Sequence, residues 1–394
     1  MLLFDATHTS HTAAQTGIQR VCRSLFEELY AQGNAAPVCY DPHLIGWRTL
    51  GTGELAVLRD RSGGSGRSRG AKWTLSQKIS GATTRWRGAK PFLPDNSGFI
   101  CPELFSAKVG SRLREIFPAV RGAKIAIFYD AIPLKFPELT PAGTVARMPS
   151  YLRELLQFDG VAAISADSAA SLREYWRWLG VKNVPPVEAI PLAVDPLSLT
   201  LAPDAPRTRP DSLPRILSVG TIEGRKNHLA LLQAAVSLWD SGVQFELQLL
   251  GLARPDTAKP ALDLIAILQR AGRPLLFEGS VTDERLHAAY RECSFTVYPS
   301  LIEGFGLPVL ESLQHGRPCI CSGRGALAEA AVGGGCIALV SVNPDDLAAA
   351  MRSLLKNPGE LAALSVAARN RKLQSWNGYA NAIVSWMHTL TPKT

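Results

Sequence analysis

Apolar residues in this chain come in short runs separated by amphipathic stretches, and the alternation is clearest after residue 214. Arg215-Ile-Leu-Ser-Val-Gly220 has the pattern of a buried strand closed by glycine, and helical spacing follows over 227–239. Further strands are expected at 245–251, 274–277, 295–299, 318–321 and 336–342. Helices are expected at 261–271, 282–291, 307–315 and 345–355. Strands alternating with helices of this length predict a parallel sheet with helices on both faces.

The first half repeats the theme less regularly. Residues 2–5 are strand-like, 18–30 form an amphipathic helical pattern, and Lys124-Ile-Ala-Ile-Phe-Tyr-Asp130 and Gly160-Val-Ala-Ala-Ile-Ser165 read as buried parallel strands. The Pro- and Asp-rich stretch near 197–213 reads as a linker. The expected fold is therefore α/β, with two Rossmann-like domains at 1–196 and 214–375. Folds of this kind bind ligands beyond the carboxyl ends of their strands, so a central cleft is the expected site.

Composition adds limits. The chain has 394 residues, 46% hydrophobic and 19% charged, ordinary values for a protein with substantial cores. Seven cysteines lie mostly in apolar runs without a C-x-x-C pair, which predicts reduced core thiols. Met-Leu-Leu-Phe-Asp lacks the features of a signal peptide, and no apolar run is long enough for a membrane span. A cytoplasmic location is expected.

The net charge of +8 is partly local. Arg61, Arg67, Arg69, Lys72, Lys78, Arg85, Arg87 and Lys90 occur with no acidic residue among them, and Trp73 and Trp86 are interleaved. Such a stretch suits a nucleic-acid surface, an anionic membrane surface, or a solvated loop. No nucleic-acid-binding motif accompanies it. Peripheral contact with the inner face of an anionic cytoplasmic membrane through 61–90 is the expectation carried forward.

Candidate chemistry centres on Tyr298-Pro-Ser-Leu-Ile-Glu-Gly-Phe-Gly-Leu-Pro-Val-Leu-Glu311. A strand runs to Glu303, a Gly304-Phe305-Gly306 turn follows, and a helix begins near Leu307. Pro308 suits a first helical turn, and Gly316 suits the far cap. Glycines at a helix N-terminus leave backbone N–H groups open to phosphate. Glu303 and Glu311 beside such a site make sense as acceptors for ribose or hexose hydroxyls. Each also has a plain structural reading, as loop residue and as helix-dipole partner.

The E-x7-E pair within Glu-Gly-Phe-Gly-Leu-Pro-x-Leu-Glu closely resembles the donor signature of glycosyltransferase family 4, a retaining GT-B family. The resemblance implies that Glu311 binds the nucleotide ribose, that Glu303 meets the transferred sugar, and that the amides between them hold phosphate and sugar. Ser218-Val-Gly-Thr-Ile-Glu-Gly-Arg-Lys-Asn227 resembles the segment in which adjacent cations grip the diphosphate. It implies Arg225 and Lys226 for that role, with Thr221 nearby. Gln15-Thr-Gly-Ile-Gln-Arg-Val21 resembles the N-terminal glycine loop of the mannosyl- and rhamnosyltransferase-like branch. There Gly17 would approach the donor phosphates, and Thr16 reads equally well as a helix N-cap.

Phe128-Tyr-Asp-Ala-Ile-Pro133 resembles a strand end at which members often carry His-Asp. Asp130 matches, whereas Tyr129 stands where the His would be. Ser165 fits another recurring position, and Asp130 or Ser165 would serve equally as a loop cap. Ser280 and Val281 are expected near the nucleobase. The ending, 376–394, resembles the family's last helix, which packs back on the N-terminal domain. Residues 47–96 match nothing in the family.

No Asp-x-Asp occurs, the histidines lack metal-ligand spacing, and no G-x-G-x-x-G follows the first strand of either half. The expectation is a metal-independent hexosyltransferase with no cofactor besides a nucleotide-diphosphate sugar as co-substrate, a GDP-linked mannose or rhamnose being favoured. The acceptor expected is a growing glycan, polyprenyl-diphosphate-linked. Two alternatives stay open: another GT-B enzyme such as a nucleotide-sugar epimerase, and a catalytically silent sugar-binding scaffold.

Overall fold

The computed structural model describes residues 1–60, 70–88, 92–195 and 213–393. The chain divides into two compact units: Met1–Lys135 with Pro141–Ala193 and Gln374–Thr394, and Val194–Leu373 with Phe136–Thr140. The stretch read as a linker, apart from Leu213, lies outside the described residues, as do Arg61, Arg67, Arg69 and Lys90.

The first unit is built on seven strands: β1 (Leu2–Asp5), β2 (Ala35–Asp41), β3 (Gly46–Thr49), β4 (Gly98–Cys101), β5 (Ala123–Phe128), β6 (Gly160–Ala163) and β7 (Val187–Ala189). Their order is β3-β2-β1-β4-β5-β6-β7. All neighbours run parallel except β3, which turns back on β2 in a hairpin closed at Asp41↔Gly46. Strands β1, β4, β5 and β6 are buried along their whole length, as apolar runs covered on both faces must be. Leu3, Phe99, Phe128, Leu172 and Trp176 belong to one continuous core. The helix Trp376–Met387 packs here too: a Cβ on Gly98 would meet Met387 at 3.0 Å, and one on Gly160 would meet Trp386 at 2.7 Å.

The second unit has six parallel strands: β8 (Arg215–Val219), β9 (Glu246–Leu250), β10 (Leu275–Gly279), β11 (Phe295–Tyr298), β12 (Cys319–Ser322) and β13 (Cys336–Leu339). Their order is β10-β9-β8-β11-β12-β13. Helices read from periodicity appear as His228–Asp240, Asp283–Glu292, Leu307–Gln314 and Pro344–Lys356. The one expected at 261–271 starts earlier, at Pro255, and is kinked at Ala258 next to Pro260. All seven cysteines are free, and six are buried.

The segment 47–96, unreadable by resemblance, contains β3 and the helices Thr52–Arg59 and Leu75–Trp86. The second helix lies close against the β2–β3 turn at Gly81, where a Cβ would meet Asp41 Oδ1, His43 Cβ and Leu44 N at 3.0 Å each. A side chain there would force these neighbours to give by a few tenths of an ångström.

Among the described residues no helix is long and apolar enough to cross a membrane.

Candidate active site

In the second unit the strand order reverses between β8 and β11. A sheet opens into a crevice at such a point, because the connections from the two strands leave to opposite faces. The segments that follow these two strands carry the charged residues singled out above.

After β8 the chain makes a single helical turn, Gly224–Lys226, ended by Asn227 in the left-handed conformation at φ 56°. Asn227 Nδ2 donates to Val342 O at 2.9 Å, which holds this turn in place. After β11, Leu301 N donates to Arg225 O at 2.8 Å, so the two loops are joined by backbone. Their side chains then meet. Arg225 Nη1 lies 2.7 Å from Glu303 Oε2 and its Nη2 lies 2.7 Å from Glu223 Oε1. Lys226 Nζ lies 2.5 Å from Glu303 Oε1, hydrogen bonds the Tyr298 hydroxyl, and sits 4.7 Å from the centroid of the Tyr298 ring.

This cluster is a partly buried ion-pair network, with Lys226 its most enclosed member. Burial by itself would raise the Glu303 carboxyl, but Lys226 and Arg225 overcome it and hold the group down at about 2. Burial pulls Lys226 below its ordinary value despite the Glu303 charge. The formal charges of Arg225, Lys226, Glu303 and Glu223 cancel. The structure thus joins the residue read as a sugar contact directly to the two read as diphosphate contacts.

Gly306 enters the helix Leu307–Gln314 with φ 122°, a conformation that side-chain-bearing residues rarely adopt. A Cβ there would also press on Leu327 at 3.0 Å. Gly304 is buried and Phe305 half-buried, packed with Leu307 against the core around Val309 and Leu313. Pro308 sits in the first turn, where its missing N–H costs nothing. Gly316, at φ 66°, donates to Leu313 O and ends the helix as expected.

Glu311 belongs to a second network. Tyr290 Oη donates to Glu311 Oε2 at 3.0 Å, and the Tyr290 ring stacks on His315 at 5.0 Å and 12°. His315 Nε2 in turn lies 3.1 Å from His287 Nδ1. Tyr290, which sequence reasoning missed, is the residue that orients Glu311. Thr221 is half-buried beyond β8, and Ser280 is exposed beyond β10. Val281 packs on the core around Leu217 and Tyr290.

In the first unit several expectations change. Thr16 stands at the N-cap of the helix Gly17–Ala31 but makes no side-chain cap; its hydroxyl bonds Gln19 Oε1 instead. A Cβ on Gly17 would meet nothing within 4 Å, so glycine is not required there by packing. Tyr129 is buried and donates to Pro102 O at 2.7 Å, and burial pushes its phenol up. Ser165 caps the helix Ala166–Trp178 by accepting from Ser168 N at 3.1 Å. Asp130 Oδ1 accepts from Ile132 N at 3.0 Å. Each of these three thus makes a local contact in the first unit, and Asp and Ser at a strand end serve as caps as readily as ligand contacts.

Two buried carboxylates in this unit gave no sequence signal. Glu103 accepts from His8 N at 2.7 Å and Thr9 N at 2.6 Å, and Asp5 accepts from Thr7 N at 3.0 Å. Arg23 donates to Ala14 O and Thr12 O, both at 2.8 Å. Together they hold the loop that leads to Gly17. Burial, then the neighbouring Glu103, raises Asp5 to about 7.

His228 opens the helix His228–Asp240 fully buried, with neither ring nitrogen hydrogen bonded among the described residues. Burial, then Lys226, lowers it from 6.5 to about 3. The folded state therefore stays neutral while the unfolded chain takes up a proton below 6.5, so stability falls as pH drops through that window. By pH 5 this amounts to about 2 kcal/mol. His228→Leu is expected to lose about 2 kcal/mol less than wild type between pH 7.5 and pH 5, read from urea midpoints. Equal losses in the two proteins would show that His228 is not the linked group.

Residues 204–371 match the family of glycosyl transferases group 1. The serotype-specific mannosyltransferase WbdA of Escherichia coli is 30% identical over 337 residues, which is 81% of this chain and 37% of that protein. A D-inositol 3-phosphate glycosyltransferase of Nocardiopsis dassonvillei is 32% identical over 229 residues, covering 54% of this chain and 51% of that one. The chain thus spans well under half of the length of the mannosyltransferases it matches. Among solved structures, the sucrose-phosphate synthase of Thermosynechococcus elongatus aligns over 98% of both chains with a TM-score of 0.67 at 19% identity. Anabaena HepE, in complex with UDP and glucose, aligns over 99% of both with a TM-score of 0.64 at 14% identity. The chain has the GT-B fold, with two Rossmann-like units, and its residues 204–371 match the glycosyl transferases group 1 family.

Proposed function

We propose that the chain is a retaining hexosyltransferase that takes a sugar, mannose or rhamnose in preference, from a nucleotide-diphosphate donor and adds it to a growing glycan. The observation that carries this reading is the cluster of Arg225, Lys226 and Glu303 where the β8 and β11 loops meet. A buried and a half-buried cation at a switch point are suited to the charge that develops on a departing nucleoside diphosphate. In the resting site their charge is balanced by Glu303 together with Glu223. An arriving diphosphate would take over that pairing and leave the Glu303 carboxylate to accept hydrogen bonds from the sugar hydroxyls.

Backbone N–H groups at the start of Leu307–Gln314 would hold the phosphates, helped by the helix dipole. Glu311, oriented by Tyr290, would take the ribose hydroxyls. With the leaving group held this way, the acceptor hydroxyl attacks the face that the diphosphate leaves, its proton passes to the donor phosphate, and configuration is retained. No divalent metal or further cofactor enters this scheme. The acceptor is read as a polyprenyl-diphosphate-linked glycan at the inner face of the cytoplasmic membrane, met through peripheral contact by 61–90. The mannosyltransferase names among the relatives support the sugar class.

The test is thermal-shift binding of UDP, GDP, dTDP and ADP without added metal, followed by turnover of the matching sugar donors. Stabilisation by GDP above the others, with GDP-mannose or GDP-rhamnose consumed, is the expected result. No stabilisation by any of the four would bring the silent sugar-binding scaffold forward.

A further inference from the structure

The helix Leu75–Trp86 presents its apolar stripe outward. At 100° per residue, Ser76, Gln77, Ser80, Gly81 and Thr84 fall on one side. All five line a cavity of about 890 Å³ within the first unit. That side is fastened down. Gln77 Nε2 donates to Glu54 Oε1 at 2.9 Å, and Glu54 is bridged by Arg48 at 2.7 Å and His11 at 3.0 Å. The preceding Trp73 stacks on His11 at 3.8 Å, and Thr74 caps the helix. The sequence reading that set Trp73 beside Trp86 on one surface is thereby corrected: Trp73 is a half-buried anchor turned in against His11.

Leu75, Ile79, Ala82 and Trp86 follow the spacing i, i+4, i+7, i+11 and occupy the opposite side. Leu75 is 73% exposed, Ile79 58% and Trp86 86%. A globular helix buries such a stripe against its own core; here the stripe is exposed, and it is the polar side that faces the unit, half-buried at Gln77 and Thr84 and buried at Gly81. Lys78 and Arg85 flank the stripe, Lys72 and Arg87 stand at its ends, and 70–88 contains no acidic residue.

We propose that this face is a bilayer-docking surface, and the proposal rests on the membrane contact put forward above. Leu75, Ile79 and Trp86 enter the headgroup–acyl boundary of an anionic membrane, while Lys72, Lys78, Arg85 and Arg87 meet its phosphates. A tryptophan at one end of the stripe suits that boundary, where an amphipathic ring finds both an apolar and a wet neighbour. The long cationic side chains reach back to the headgroups. Four cations without a carboxylate fit a phosphate surface better than a protein partner, whose face would present both signs. Because the cavity-lining side of the same helix is locked by Glu54 and Gly81, docking requires no rearrangement of the unit.

The test is sedimentation of the full chain with phosphatidylcholine vesicles, with and without phosphatidylglycerol. Wild type is expected to bind only when the anionic lipid is present, and less so as salt rises. The variant Leu75→Ser/Ile79→Ser/Trp86→Ser should partition about tenfold less or weaker still, with melting temperature and nucleotide binding unchanged. The variant Lys78→Gln/Arg85→Gln/Arg87→Gln should lose the dependence on anionic lipid. If wild type binds and the serine variant binds equally well, this face is wrong and the membrane reading stands. If wild type binds neither vesicle, both fall. A wild-type dimer in ultracentrifugation that the serine variant dissolves would identify a second copy as the occupant and overturn the proposal.

Discussion

Glu303→Gln is expected to lower kcat about 10²–10³-fold while tightening the binding of the free nucleoside diphosphate. The two effects have one cause. Glu303 pairs with Arg225 at 2.7 Å and with Lys226 at 2.5 Å, while Glu223 takes the other side of Arg225, so Glu303 competes with any anion for the same two cations. Removing its charge frees Lys226 and one side of Arg225 for the diphosphate but leaves the sugar without its carboxylate acceptor. The same substitution leaves the buried Lys226 without its carboxylate and Arg225 paired with Glu223 alone in the unliganded protein, which costs about 3–5 kcal/mol. Without ligand the variant should therefore melt below wild type, and its gain in melting temperature on adding nucleotide should be the larger. Isothermal titration and donor turnover on the same preparation decide the matter. A variant that keeps more than about a tenth of wild-type turnover would remove Glu303 from the reacting centre.

Glu311→Ala should weaken nucleotide binding about 10–100-fold with little loss of fold stability. Its carboxylate is half-buried and oriented by the Tyr290 hydroxyl at 3.0 Å, and a carboxylate accepting two ribose hydroxyls contributes on the scale of charge-assisted hydrogen bonds. The sharper readout is selectivity. Wild type should favour the ribonucleotide over its 2′-deoxy analogue, and Glu311→Ala should bind both alike. Tyr290→Phe, which keeps the ring stacked on His315 but loses the donor, should fall between them. Were Glu311→Ala to retain the ribose preference, the carboxylate would have a structural role only.

Much of the second unit was legible from the chain alone. Continuous apolar runs such as Arg215-Ile-Leu-Ser-Val and Phe295-Thr-Val-Tyr became fully parallel neighbours, β8 and β11, because a strand covered on both faces has no polar side to show. Gly306, Pro308 and Gly316 marked the limits of one helix through backbone rules that act within a few residues. The segment 47–96 was opaque for the opposite reason. In Leu75–Trp86 the apolar stripe points outward, so its periodicity indicates a helix but misleads about which side is buried.

The residue types at the candidate site, and their order along the chain, belong to the sequence, since each sits in a short motif with its own local chemistry. Their partners do not. Arg225 meets Glu303 across 78 positions and Tyr290 meets Glu311 across 21, and only the order of the strands brings these pairs together. The sequence therefore determined which groups are available, and the tertiary structure decided their state. Burial beside two cations holds Glu303 ionised, whereas burial beside another carboxylate raises Asp5 to about 7. Pairing energy and desolvation depend on distance and surroundings in space, and a local pattern of residues carries neither.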